Sequence, residues 1–222
     1  MLASMRTTTL ALLAGLTALS ASACSKGFGP GFEGEITMHT QSPGQPGSDL
    51  VVKTKGDKLR FDMKTPTGQD AYSIFDPAMN KVTMVMDSQK TYMDMDFSKP
   101  SAQPSTNPDT STVTKTGKHE TIAGTDCEDW TATDASGKRS EVCVAQGIYF
   151  DIASLSGKGS GAVAKDLKEK KLFPLKSVDY DAKGTELTRM EVTKIEKKKL
   201  DDSQFAVPAD YKKMDLPSML TK

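Results

Sequence analysis

Runs of alternating apolar and polar residues, each closed by Gly, Pro, Asn, Asp or Ser, recur along most of this chain and restrict its fold more than any other feature. At period two, alternate side chains share one face of a strand. The turn signals follow too closely for crossover helices to intervene, so the pattern reads as an antiparallel sheet rather than as βαβ units. The expected strands cover residues 32–40, 49–55, 58–64, 69–76, 81–87, 90–97, 112–120, 125–133, 139–144, 175–182 and 186–197. Gly56-Asp57 and Lys183-Gly184 mark tight hairpin turns.

Two stretches break the alternation. Residues 98–111 are Pro-rich with almost no apolar side chain to bury, which predicts a flexible loop, a linker in preference to a lid. Residues 150–172 read as a helical insert with three parts: a piece over 150–155, a hinge at Gly157 to Gly161, and an amphipathic helix over 162–171. Val163, Leu167 and Leu172 lie near one face of that helix, and Pro174 is the expected stop. Asp201 to Pro208 reads as a capped turn, and residues 211–217 finish the chain. At 222 residues, one β domain over 32–217 accounts for everything after the N-terminal region.

That region differs in kind. Arg6 precedes an apolar stretch from Leu10 to Leu19, which ends in Ser20-Ala21-Ser22-Ala23-Cys24 with no acidic residue. The stretch is too short for a bilayer-spanning helix, which needs about 20 apolar residues, so residues 1–23 read as a signal peptide. Ala21-Ser22-Ala23 fits two cleavages, an A-x-A site and a lipobox before Cys24; the departure from the lipobox pattern is Ala21, where a large aliphatic residue is usual. The Gly-rich segment after Cys24 favours the lipoprotein, making residues 24–31 a lipidated tether. Ser25 after the anchor resembles the pattern of retention at an outer membrane, facing the periplasm.

Cysteine arithmetic agrees with an anchor at Cys24. Three thiols in an oxidising compartment leave one over. If the arms 125–133 and 139–144 form a hairpin in which paired numbers sum to 270, Cys127 and Cys143 sit directly opposite, close enough for a structural disulfide. A redox role would need C-x-x-C or a nearby cation, and the sequence offers neither.

Lys plus Arg equals Asp plus Glu, at 29 each, so no net field draws the chain to nucleic acid or to an anionic bilayer, and no nucleic-acid partner is expected. His39 and His119 are the only histidines, and sequence spacing holds no nucleophile or carboxylate beside either. The Gly157 to Gly161 cluster lacks the context of a phosphate loop, and the acidic residues lack EF-hand spacing. No catalytic residue, cofactor or metal ligand is assigned. Trp130 and Tyr92 read as core and rim residues, and Lys197-Lys198-Lys199 as a solvated strand end.

Methionine is the distinctive signal. Met84-Val85-Met86 and Met93-Asp94-Met95 occupy successive strands, with Met63 and Met79 nearby. Period two puts each Met pair on one face, and pairing across Ser88-Gln89 joins the two rows. Three readings stay open: an ordinary core of adaptable side chains, a cavity for an apolar ligand such as an acyl chain, or a Cu(I) site that His39 joins. The ligand-cavity candidates are Met63, Met84, Met86, Met93 and Met95.

The segments Met79 to Met95, Thr121 to Glu128 and Phe205 to Tyr211, with the lipoprotein signal, resemble the bacterial envelope family called domain of unknown function 4412. That family is in turn similar to the carrier and receptor proteins of lipoprotein sorting. The resemblance implies a mainly β fold with a small α part: a strongly curved antiparallel sheet, an incomplete barrel, with a helical lid over an apolar cavity. It also implies a non-enzymatic lipoprotein that binds or carries a lipid or acyl chain. The alternative is a structural lipoprotein that presents its β domain to an envelope partner. The arginine that locks the lid in sorting carriers has no placed counterpart among Arg60, Arg139 and Arg189.

Overall fold

In the computed structural model the described residues are 32–64, 70–76, 81–96, 111–149 and 162–214. Their strands are β1 (Gly34–Gln41), β2 (Ser48–Lys55), β3 (Lys58–Lys64), β4 (Asp70–Asp76), β5 (Lys81–Met86), β6 (Thr91–Asp96), β7 (Thr112–Ile122), β8 (Thr125–Thr133), β9 (Arg139–Gln146), β10 (Leu172–Tyr180), β11 (Glu186–Lys197) and β12 (Lys212–Lys213). One helix, α1 (Ala162–Lys170), interrupts the series. The strands form a single sheet in the order β12-β6-β5-β4-β3-β2-β1-β11-β10-β9-β8-β7. It consists of two meanders, β1 to β6 and β7 to β11, joined where β1 pairs with β11. All pairings are antiparallel except the short parallel contact of β12 with β6.

This order favours curvature. Consecutive strands β6 and β7 lie at opposite ends of the sheet, ten strand spacings apart. At about 4.8 Å per spacing a flat sheet would separate them by roughly 48 Å. The connection, residues 97–111, reaches that far only at nearly full extension, at about 3.3–3.6 Å per residue. The sheet is strongly curved, an incomplete barrel with the helix as its lid, and curving draws its two ends together. Where the meanders meet, a Cβ on Gly34 would strike the Glu196 carbonyl, so only glycine permits the β1–β11 approach.

Side-chain alternation divides the packing. The main core gathers Ile36, Met38, Val52, Leu59, Phe173, Leu175 and Val192, with Leu50, Phe61 and Phe75 against it. Helix α1 lays Val163 and Leu167 on Trp130, Val142, Val144 and Leu172. A third cluster, Tyr72, Ile74 and Val85, is closed by Tyr92, Val207 and Tyr211. The segment that closes it turns at a 3-10 helix, Asp202–Phe205, capped by the Asp201 side chain, which accepts from the Ser203 amide.

Three local expectations are corrected. Pro174 does not stop the helix: the chain turns at Lys171, whose φ is 52°, and Pro174 lies inside β10 at a bulge, where its missing N–H breaks no regular ladder. Leu172 accordingly belongs to β10 and meets the helix from the sheet side. In the β8–β9 hairpin paired numbers sum to 272, so Cys143 faces Asp129, and Cys127 reaches it diagonally. The two cysteines are nevertheless joined, with Cα atoms 5.4 Å apart. The signal and tether with Cys24, Met79, the loop over 98–110 and the helical pieces over 150–161 lie outside the described residues.

Candidate functional site: a methionine-lined sheet face

Residues that are Cα partners in an antiparallel ladder point to the same face. The row Ile36–Val52–Phe61–Ser73–Met84–Met93 therefore crosses β1 to β6 on one side of the sheet. Beside it run Met38–Leu50–Met63–Ala71–Met86–Thr91 and Gly34–Thr54–Leu59–Phe75–Val82–Met95. All five candidate methionines share this face. Met84 and Met93 are direct partners, and Lys90, with φ 49°, closes the turn between their strands.

Burial is greatest at the β1 and β2 end of the first row and partial at the methionines. Ile36 and Val52 are fully buried, Met84, Met86, Met93 and Met95 are half-buried, and Met63 is 40% exposed. The methionines thus extend an apolar surface outward from the core. Ser73, Leu50, Phe61 and Phe75 belong to the same surface through alternation within β2 to β4, and Thr91 joins it as the β6 partner of Met86. The Thr91 hydroxyl is buried with no hydrogen-bond partner among the described residues.

The same face continues into the second meander. Trp130, Val142, Ser177, Met190, Thr40 and Ser48 are successive partners from β8 to β2. Helix α1, packed on Trp130 and Val142, therefore lies on the methionine side of the sheet.

The reverse face joins charged pairs on β2 and β3 to the third apolar cluster on β4 to β6, and the C-terminal segment covers it. Lys53 pairs with Asp62 at 2.8 Å, Arg60 with Asp62 at 2.6 Å, and the Arg60 guanidinium stacks 3.5 Å from the Tyr72 ring centroid. Burial pushes the Asp94 carboxyl up, but hydrogen bonds from Lys213, Lys81 and Thr83 together outweigh it and hold Asp94 below its ordinary value. Tyr211 donates to Asp87 at 2.8 Å, and that bond, with burial second, pushes its phenol up to about 12. Lys90 and Asp210, 2.8 Å apart, pin the same C-terminal segment.

His39 points to this reverse face, alternating with Met38, so it does not join the methionines in a soft-metal site. Strand pairing, which sequence spacing could not supply, sets Asp49 2.7 Å from His39 and Asp126 3.0 Å from His119, both on exposed positions. Glu120 lies beside the sulfurs of Cys127 and Cys143, but a disulfide offers no thiolate to a metal. Glu120 also bonds Lys176, which, foremost, holds its carboxyl below the ordinary range; burial first, and then the Glu120 carboxylate, push Asp129 up.

Solved structures with low similarity include an uncharacterized conserved protein from Thermus thermophilus, 10% identical with a TM-score of 0.49, covering 82% of this chain and 90% of that one. The MucA/MucB complex of Pseudomonas aeruginosa is 13% identical with a TM-score of 0.40, covering 81% of this chain and 56% of that one. Lipoprotein LppX of Mycobacterium tuberculosis is 10% identical with a TM-score of 0.38, covering 76% of this chain and 89% of that one. No curated protein matches the sequence. The family described as domain of unknown function (DUF4412) matches residues 32–211, most of the chain and nearly the whole described sheet. The chain belongs to the DUF4412 family.

Proposed function

We propose that this protein is a non-enzymatic lipoprotein of the bacterial cell envelope that binds a lipid or acyl chain against the face bearing Met63, Met84, Met86, Met93 and Met95. The observation that carries the reading is the half-burial of four methionines on a face continuous with the core, while the reverse face of the same strands is already covered by the C-terminal segment. A filled core would bury these side chains fully, and a purely solvated face would be polar at these positions. Unbranched thioether chains adapt to ligands of varied shape, so such a surface suits flexible hydrocarbon. The lipidated Cys24 would hold the domain at the outer membrane, facing the periplasm, with residues 24–31 as its tether.

Native mass spectrometry of protein purified without detergent tests the reading. Co-purifying lipid, released when Met84 and Met93 are replaced by charged residues, is the expected result. Protein that carries no lipid and takes up no added fatty acid would overturn it.

A further inference from the structure

Trp130 is the single tryptophan of the chain and only 2% exposed, set among Val142, Val144 and Leu172 beneath Val163 and Leu167 of α1. Its indole Nε1–H is nevertheless buried with no acceptor among the described residues. Buried indole N–H groups ordinarily find a partner, and an orphaned one calls for a water, an ion or a ligand group to explain it.

The surroundings state what charge such a group would carry. Lys115, the cross-strand partner of Trp130 on β7, holds its ammonium 4.7 Å from the ring centroid, and Lys170 at the end of α1 holds its own at 5.4 Å. Lys170 is shared with Asp166, but no ion pair joins Lys115 to a carboxylate among the described residues. Both lysines are exposed while the ring is not, so the ammoniums stand between the buried indole and solvent. The bulge between Lys115 and His119, with the Thr116 hydroxyl donating to the Asp129 carbonyl, sets the local path of the β7 edge beside this rim.

We infer that Trp130, Lys115 and Lys170 form a binding site for an anionic oxygen group, the carboxylate or phosphate head of an amphiphile. The inference rests on the proposed lipid-binding reading and narrows it to acidic ligands. An anionic head accepts from the indole N–H while the two ammoniums over the ring supply a positive field that a neutral head would not use. The head is placed on the same side of the sheet as the methionines, because Trp130, Val142, Ser177, Met190 and Thr40 follow one another as partners to the Met38–Leu50 region.

The test uses the mature, delipidated protein with Trp130 emission as reporter, titrated with oleate, methyl oleate, acetate and inorganic phosphate, and repeated with Lys115→Gln, Lys170→Gln and the double variant. Oleate should change the emission, and methyl oleate should bind at least about tenfold more weakly, as loss of a charge-assisted hydrogen bond requires. The double variant should lose a similar factor for oleate while binding methyl oleate as the parent does. Equal binding of oleate and its ester, unchanged by the variants, would overturn the acidic-head site and leave the apolar-ligand reading standing. Acetate or phosphate binding as tightly as oleate would assign the site to a free anion and overturn the amphiphile. Failure of every ligand to bind would overturn both readings.

Discussion

Truncating the methionine pair separates a ligand-facing wall from a filled core by magnitude. A fully buried Met, Leu or Ile shortened to Ala costs about 2–5 kcal/mol, transfer and cavity together. Ile36, fully buried on β1 in the same row, should fall in that range on Ile36→Ala. Met84 and Met93 are half-buried, so each retains about half the roughly 1.5–3 kcal/mol of a complete burial, near 1 kcal/mol. The two losses sum to about 2 kcal/mol for the double Met84→Ala/Met93→Ala variant, and because the residues are direct partners the departure from that sum measures their contact. Urea melts measure this with an unchanged slope if the sheet stays intact. The same variant should bind a fluorescent fatty acid about tenfold less tightly, because the truncated chains withdraw contact area from the ligand. If Met84→Ala alone costs as much as Ile36→Ala and fatty-acid affinity does not move, the methionines are core and the proposed face is wrong.

Further perturbations probe the frame around that face. Replacing both Cys127 and Cys143 by Ser opens a link of sequence separation 16 and should cost about 3 kcal/mol by chain entropy, read from urea midpoints; a shift below about 1 kcal/mol would mean the hairpin needs no cross-link. Gly34→Ala should lower the melting temperature more than Gly56→Ala, since a Cβ at 34 meets the Glu196 carbonyl and one at 56 meets open space, though both backbones disfavour alanine; equal losses would deny the close β1–β11 approach. The Tyr211 phenol, raised to about 12 by its bond to Asp87, contributes stability that is complete below an unfolded value of about 10 and is lost as pH rises through about 12. Tyr211→Phe should therefore flatten the alkaline part of the stability curve, and parallel curves for the two proteins would count against the contact. Mass analysis of the mature N-terminus should find a diacyl or triacyl Cys24; an unmodified terminus would refute the anchor.

The methionine face was legible in sequence because everything that defines it is local. Alternation fixes the face of each strand, and the turn at Asp87–Gln89 fixes which residues meet. The disulfide hairpin shows how far such reasoning carries. Its loop is held by the Asp134 carboxylate, which accepts from the amides of Ser136 and Lys138 and sets Thr133 opposite Arg139. The expected register is two residues off, and a slip of two keeps every side chain on its face, so the cysteines still meet, diagonally instead of squarely. Pro174 misleads because a missing N–H is tolerated at a strand bulge as well as at a helix end, and the sequence does not say which. What the sequence could not show are contacts made by return of the chain: β12 completing the β6 edge, Tyr211 reaching Asp87, and Lys115 and Lys170 converging on one indole. Each joins residues whose separation along the chain is unrelated to strand or helix period. The apolar wall thus follows from local pattern, whereas the charges that would orient a ligand on it depend on curvature and on the seating of a single helix.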